Sequence, residues 1–187
     1  MCQYRSGIAI MFGGTVTVRT LHGNDSHNDI RDHYGIVDDI TSVMRQAAVE
    51  YIPEGALYDY GTYLLQWDDD KPDWATDEVE AEVARQMRAV CKADDLSAWS
   101  GYLDLRSLTT LPEGVTLSAG GDLYLGSLTT LPEGVALSAG RYLYLRSLTT
   151  LPEGVTLSAG EGLDLRSMTT LPEGVNVTAK RIIFKDN

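Results

Sequence analysis

The side chains best suited to hold a metal ion lie together in one polar stretch, residues 22–33. Imidazole nitrogens and carboxylate oxygens are ordinary ligands for Zn²⁺, which needs three or four such groups converging on one point. The spacing of these residues fits no common zinc pattern, so we interpret the stretch as a solvated polar loop and predict no cofactor. The six residues are His22, Asp25, His27, Asp29, Asp32 and His33.

A second acidic group, formed by Asp68, Asp69 and Asp70, hints at a calcium-binding loop. In an EF-hand loop that starts at Asp69, Glu80 takes the twelfth position, as that loop requires. The sixth position, however, holds Trp74 where the loop needs glycine. We therefore reject the calcium loop and expect an acidic surface segment whose three aspartates are candidate binding residues.

The best candidate nucleophile is Cys91, because nearby Arg88 and Lys92 would favour its reactive thiolate form. The same cysteine borders the apolar stripe of a predicted helix, so we expect a buried and unreactive thiol instead. The chain contains no Gly-x-Ser-x-Gly, Gly-x-Gly-x-x-Gly or Walker motif. Cys2 and Cys91 form no CxxC pair and predict no zinc site. No catalytic residue is predicted.

The net charge of −12 is unevenly distributed along the chain. Residues 1–100 carry 18 of the 27 acidic side chains but only 8 of the 15 basic ones. Such acidity argues against direct binding to nucleic-acid phosphates and permits a basic protein partner, although solubility alone also explains it. No apolar run approaches the roughly 18 residues that a membrane span needs. Together with the unpaired cysteines, this predicts a reduced, cytoplasmic setting.

Residues 1–98 are predicted to form a small acidic α+β domain. Apolar residues alternate over 8–12 and 16–18, on either side of Gly13-Gly14, which predicts a β-hairpin. A first helix is predicted over residues 40–48, where apolar residues recur at helical spacing.

A second helix is predicted to start near Thr76. Acidic residues occupy its first turn and basic residues its last, as the helix dipole favours. Its apolar stripe consists of Val79, Val83, Met87 and Val90.

Residues 99–187 are predicted to form a β-solenoid of four 20-residue coils with a C-terminal cap. The units begin at residues 101, 121, 141 and 161, and each alternates leucines with other residues in two short runs. Period 2 predicts two strands per unit, and the Leu-Pro-Glu-Gly segment between them predicts a turn. One coil alone cannot bury its leucines, so the coils must stack. The ends are expected to be covered by Leu96 and Trp99 on one side and by residues 182–184 on the other.

The repeated pattern LxLxxLxxLPxxVxL resembles the shortest class of bacterial leucine-rich repeats. It resembles even more closely the LPEG-type repeats of phage and prophage proteins. The resemblance covers residues 101–180 and implies an architecture only. The units lack the asparagine ladder of leucine-rich repeats and are shorter than most of them, which favours a flat-sided all-β solenoid over a horseshoe with helices.

Three columns of the repeat vary while the leucines between them stay constant. Residues between buried leucines are expected to point outward, and tyrosine and arginine are enriched in binding hot spots. The alternative is structural, since tyrosine suits strand surfaces and aspartate and arginine can pair across coils. The candidate binding residues are Tyr102, Asp104, Arg106, Tyr124, Tyr142, Tyr144, Arg146, Asp164 and Arg166.

These features predict a non-enzymatic protein that binds another protein. The phage-like repeats and the acidic first half suggest one concrete form, an inhibitor of a host nucleic-acid-binding enzyme or defence complex that presents a DNA-mimicking surface. Two alternatives stay open. One is a metal-dependent enzyme in the N-terminal domain, with the solenoid as its specificity module. The other is a structural or assembly protein whose solenoid ends stack.

Overall fold

The structure is a computed structural model that describes residues 5–21, 26–36, 44–60 and 62–185. The chain divides into two compact units. The N-terminal unit comprises Met1–Ile52 and Tyr63–Asp94, and the solenoid unit comprises Pro53–Thr62 and Asp95–Asn187. In chain order the elements are β1 (Arg5–Phe12), β2 (Thr15–Arg19), α1 (His27–Tyr34), β3 (Met44–Ile52), β4 (Gly55–Ala56), β5 (Leu64–Trp67), α2 (Asp77–Ala93), β6 (Leu103–Asp104), β7 (Leu108–Thr110), β8 (Thr116–Ala119), β9 (Leu123–Tyr124), β10 (Ala136–Ala139), β11 (Tyr142–Tyr144), β12 (Thr156–Leu165) and β13 (Asn176–Phe184).

The N-terminal unit contains a four-stranded sheet and two helices. The strand order is β2-β1-β3-β5, and every neighbouring pair is antiparallel. The predicted hairpin is confirmed, because β1 and β2 pair directly and Gly13 and Gly14 form the turn at positive φ. Within the described residues, no helix combines the length and hydropathy that crossing a lipid bilayer requires.

The helix predicted over residues 40–48 is wrong where the structure describes that segment. From Met44 onward the chain forms β3, a central strand that pairs with both β1 and β5, while residues 37–43 lie outside the described residues. The alanines have helical spacing, but the buried residues that follow them, Val49 and Tyr51, alternate with the period of 2 that is typical of a strand. Hydrogen bonds on both sides and this burial outweigh local helix propensity.

The polar stretch after β2 is also not the loop predicted from its composition. It contains the short helix α1, whose N-cap Ser26 accepts a hydrogen bond from the Asp29 backbone N–H. Gly35 ends the helix in the left-handed conformation. The one apolar residue of its middle, Ile30, is fully buried and anchors the helix.

The second predicted helix is confirmed as α2. The Thr76 side chain caps it by accepting a hydrogen bond from the Val79 backbone N–H. Its buried face contains Val83, Met87 and Cys91, so the expectation of a buried thiol is confirmed.

The solenoid unit is a β-solenoid of about four turns over residues 103–184. We number the coils 1 to 4, starting at residues 101, 121, 141 and 161. The first strands of successive coils form a parallel ladder of β6, β9, β11 and the second half of β12. The second strands form another, from β8 and β10 to the first half of β12. Both ladders continue into β13.

The repeated apolar positions fill the interior of this solenoid. Nearly all the leucine and valine columns of coils 1 to 3 are below a tenth exposed, with Leu105, Leu125 and Leu145 at 0%. The turn predicted at Leu-Pro-Glu-Gly is confirmed, because its glycine has φ between 65° and 78° in every coil. That left-handed conformation is open to glycine at little cost.

Residues outside the repeats cover coil 1 as expected. Trp99 is 2% exposed and forms a parallel bridge to Ala119 of coil 1. Its indole N–H donates to the Tyr102 carbonyl at 3.0 Å. Leu96 is 3% exposed beside it in sequence, and its carbonyl accepts from the Ser118 N–H at 2.8 Å.

Strand β13 begins inside coil 4 and continues past its end, and its residues 182–184 pair with Leu163–Leu165 as expected. The register shifts by one residue between Ala159 and Gly162, so that Gly162 pairs with Arg181. The shift lies where Lys180 replaces the glycine that ends every earlier unit.

The solenoid unit also contains a segment that the repeat pattern does not include. Gly55 and Ala56 form β4, which pairs in parallel with β7 of coil 1. The Thr109 hydroxyl donates to the Gly55 carbonyl at 3.3 Å. The segment Pro53–Thr62 therefore folds with the solenoid, although in the sequence it connects β3 and β5 of the N-terminal sheet.

Candidate binding face of the solenoid

The varying columns of the first strands form one continuous set of side chains, which we call the ladder. Its core is the stacked pair Tyr124 and Tyr144, whose ring centroids lie 4.7 Å apart with planes 6° from parallel. Equivalent residues of neighbouring coils are about one strand spacing apart, so identical aromatic side chains stack face to face. The parallel register of β9 and β11 therefore produces the stack directly.

Tyr142 extends the aromatic cluster from a different column. Its ring centroid lies 6.0 Å from that of Tyr144. A Cβ atom at Gly162, in the next coil, would lie 2.9 Å from the Tyr142 ring. The missing side chain at Gly162 therefore makes the room that this ring occupies. Tyr102, the equivalent residue of coil 1, is half-buried.

Each of three tyrosines carries an arginine near its ring. The guanidinium carbon of Arg106 lies 5.4 Å from the Tyr124 centroid, and that of Arg146 lies 5.0 Å from the Tyr144 centroid. Arg141 is 5.9 Å from Tyr142 in the same way. Cation–π contacts of this kind hold the long arginine side chains against the aromatic surface.

The two aspartates nominated from the sequence are buried, which corrects the expectation that they point outward. Asp104 is 1% exposed and Asp164 is 2% exposed. Arg106 covers Asp104 with two hydrogen bonds, from Nε at 2.9 Å and from Nη2 at 2.6 Å. The short carboxylates sit beneath the arginines of the neighbouring column, which form the exposed surface in their place.

Asp164 is held between two arginines. Its Oδ2 lies 2.9 Å from Arg146 Nε, and its Oδ1 lies 3.1 Å from Arg166 Nε. A buried charge needs such partners, and the pairing fixes the positions of both arginine side chains. Arg146 reaches Asp164 from the preceding coil, so this contact also connects coils 3 and 4.

Asp122 belongs to the ladder although the sequence did not nominate it. Its carboxylate accepts hydrogen bonds from the Tyr124 hydroxyl at 3.1 Å and from the Tyr142 backbone N–H at 3.2 Å. Arg141 Nε lies 4.0 Å away. The signal was its place in the same column as Tyr102 and Tyr142.

The surroundings of Tyr124 change its acidity. Burial raises the pKa of Tyr124 to about 12, and the negative charge of Asp122 adds to the effect. Burial likewise raises the pKa of Tyr144. The stacked hydroxyls are therefore neutral at physiological pH and act only as hydrogen-bonding groups.

Tyr124 should make the folded state sensitive to alkali. Between the ordinary tyrosine pKa of about 10 and the folded value of about 12, the unfolded chain loses the phenolic proton that the folded chain keeps. The free energy of unfolding is therefore expected to fall as pH rises through this window. Urea unfolding at several pH values should show a smaller fall for Tyr124→Phe. Parallel profiles for both proteins would contradict this.

A gap interrupts the arginine column of the ladder at coil 2, where Gly126 stands between Arg106 and Arg146. The gap is an open cavity of about 330 Å³. It is lined by Arg106, Tyr124, Gly126, Ser127, Tyr144 and Arg146. We call this cavity the notch.

The acidic segment nominated in the N-terminal unit is exposed. Asp68 lies 2.8 Å from His27 Nδ1 and has 37% of its side chain exposed, and Asp69 and Asp70 are exposed as well. It belongs to a different unit from the ladder. The two candidate surfaces are thus built by separate parts of the chain.

Among the described residues, His27, Glu50 and Asp68 bring ligand-type atoms within 4.8 Å of one another. The other ring nitrogen of His27, Nε2, lies 3.3 Å from the Val49 carbonyl oxygen. Both ring nitrogens thus face oxygens, and a neutral imidazole donates a hydrogen bond from one of them while the other keeps its lone pair. The arrangement suits a hydrogen-bonded link between α1 and the sheet. Of the other metal candidates, His22 and Asp25 lie outside the described residues.

No family model matches this chain, and comparison with curated proteins and with solved structures finds no match.

Proposed function

We propose that this protein binds another protein through the ladder and performs no catalysis. The observation that carries the proposal is the fixed geometry of its hot-spot residue types. Stacked tyrosines, the arginines beside them and the buried aspartates beneath hold one another in place without a partner. Side chains that are already ordered lose little entropy on binding, which favours affinity.

The charges on this face argue for binding over chemistry. Asp104 and Asp164 are engaged by arginines and buried, so that neither is placed to accept a proton from a substrate. The tyrosine hydroxyls hold their protons more tightly than usual. This set of groups suits recognition of a surface.

A more specific form of this function is an inhibitor that comes from a phage or mobile element. The LPEG-type pattern supports a leucine-rich repeat protein of a phage or mobile element. The concentration of negative charge in residues 1–100 supports an inhibitor that binds a basic nucleic-acid-binding protein. If so, capture of that partner weakens steeply as salt rises.

Replacing both stacked tyrosines should weaken partner binding strongly. The full-length protein, immobilised, would be offered a bacterial lysate over a salt series, and the captured protein would be purified for affinity measurement. We expect Tyr124→Ala with Tyr144→Ala to weaken binding more than about 30-fold, because a hot-spot residue contributes about 2 kcal/mol or more.

The matched control is Thr116→Ala with Thr156→Ala, on the second strands, which should bind like the unchanged protein. Unchanged affinity in the tyrosine variant would remove the ladder from the proposal. Loss of affinity only on changing Asp69 and Asp70 to asparagine would assign binding to the acidic segment.

The alternative of a metal-dependent enzyme is tested by metal analysis. Stoichiometric Zn or Mn that disappears with His27→Ala would favour it, because His27, Glu50 and Asp68 converge. The assembly alternative is tested by measuring molecular size over a range of concentrations.

A further inference from the structure

The notch differs from the rest of the ladder because it has cations on both sides and no carboxylate in its lining. Arg106 and Arg146 flank it, and about half of each side chain is exposed, 49% and 54%. The two tyrosines complete the wall, and the edge of an aromatic ring is its positive side. In a chain of net charge −12, this is a local site for a negative group.

The same face shows how such a group is held. Asp164 lies between Arg146 and Arg166, within 3.1 Å of a nitrogen of each. Coils 1 and 3 present another pair of arginines, Arg106 and Arg146, which are two coils apart instead of one and have Gly126 between them. At the equivalent positions between them, however, the chain supplies Tyr124 and Tyr144 in place of an aspartate.

The spacing of the coils suits a carboxylate from outside. Arg106 and Arg146 belong to coils two steps apart, which is about 9.6 Å along the solenoid. A carboxylate that accepts a hydrogen bond of about 2.8 Å on each side bridges donors about 8 Å apart, which is close to the spacing of these two coils. Arginine has five N–H donors, so one guanidinium can serve two carboxylates.

We propose that the notch binds the carboxylate of a glutamate or aspartate side chain of the protein partner. The inference rests on the proposed function, since it assigns one part of the partner's surface. The carboxylate takes the place between two arginines that Asp164 takes between coils 3 and 4. A single acidic residue at this point is compatible with a partner whose surface is otherwise basic.

The first test supplies the carboxylate from the chain itself. A Cβ atom at Gly126 meets no atom within 4 Å, so a side chain can enter there without displacing a neighbour. We expect the folding equilibrium constant of Gly126→Glu to be at least about threefold higher than that of the isosteric Gly126→Gln. Urea unfolding at neutral pH measures both constants. The advantage should disappear at a pH low enough to protonate the new carboxyl group.

The control is the pair Thr130→Glu and Thr130→Gln, at an exposed position of the same coil. There the glutamate should give no advantage, because the chain is already acidic. If the glutamate at position 126 is no better than glutamine after this correction, the notch does not hold a carboxylate and the proposal fails.

The second test uses small probes with the full-length protein. The NMR signals of the Arg106 and Arg146 Nε–H groups are followed on adding acetyl-Gly-Glu-Gly-amide, its glutamine counterpart or inorganic phosphate. We expect the glutamate peptide to shift these signals saturably. It should bind the Gly126→Gln variant at least about fivefold more weakly, and it should bind the Thr130→Gln variant as tightly as the unchanged protein. An equal response to the glutamine peptide, or a response to phosphate alone, would overturn the assignment.

Neither test involves the partner. A carboxylate site that is confirmed while the tyrosine variant keeps its partner would leave the notch in place and reject the ladder as the main contact. If partner binding needs the tyrosines but the notch binds no carboxylate, the ladder remains the main contact and the notch proposal is rejected.

Discussion

Gly140→Ala is expected to destabilise the solenoid by about 3 kcal/mol or more, although it adds a single methyl group. A Cβ atom at Gly140 would lie 2.0 Å from the Gly120 carbonyl oxygen and 2.8 Å from its carbon. Backbone atoms cannot move aside as a flexible side chain could. The coils would have to separate, which breaks hydrogen bonds such as that from the Gly140 N–H to the Ala119 carbonyl, 2.8 Å long.

The same contact recurs down the stack, at 2.2 Å for Gly120 and 2.0 Å for Gly160. None of these three glycines has positive φ, so the restriction is one of space and not of backbone conformation. Urea unfolding of the full-length protein, followed by circular dichroism, measures the effect.

The matched control is Gly126→Ala, where the added methyl group meets nothing within 4 Å. It should leave the free energy of unfolding unchanged or raise it by up to about 1 kcal/mol, since alanine restricts the unfolded chain. Equal unfolding midpoints for the two alanine variants would show that Gly120, Gly140 and Gly160 are not required for close stacking of the coils.

Trp99→Ala is expected to reduce the free energy of unfolding by about 3–5 kcal/mol, the usual range for losing a buried tryptophan. Trp99 forms a parallel bridge to Ala119 of coil 1 and is 2% exposed. Its backbone also extends the sheet of the second strands, because its N–H donates to the Ser118 carbonyl and its own carbonyl accepts from the Gly120 N–H. Removing the ring would expose the end of the core to water.

The control is Trp99→Phe, which keeps an aromatic ring but loses the N–H that bonds the Tyr102 carbonyl. We expect a smaller loss, with about 1 kcal/mol coming from the hydrogen bond. Hydrogen exchange should show that Trp99→Ala loses protection first in coil 1. A uniform loss over all coils would mean that the solenoid unfolds as one unit without a separate end effect.

The solenoid could be predicted because the same pattern of buried leucines and a turn glycine recurs in four consecutive units. Each unit places leucines with period 2 and a glycine where the turn needs positive φ, so that strands and turns followed directly. The helix predicted over residues 40–48 failed since the spacing of Met44 and Ala47 is compatible with a helix, and only pairing with two neighbouring strands decides for β3. Short-range pattern does not contain that information.

The candidate face was predicted in its residues but not in its geometry. The columns containing Tyr124, Tyr144 and Arg146 were identified by their variation. The burial of Asp104 was not, because alternation places a residue on a face and says nothing about a long neighbour folding over it. The pairing of Gly55 with coil 1 gave no signal at all, since two residues make no strand pattern.

The near-identity of the units has a consequence for how this protein can change. Each coil contributes one set of side chains to the ladder and an almost identical share of the core. Duplication, loss or exchange of a whole 20-residue unit therefore rewrites the order of tyrosine, aspartate and arginine side chains while preserving the backbone hydrogen bonds between coils. Recombination in register thus rearranges these surface side chains without the core substitutions that usually destabilise a fold.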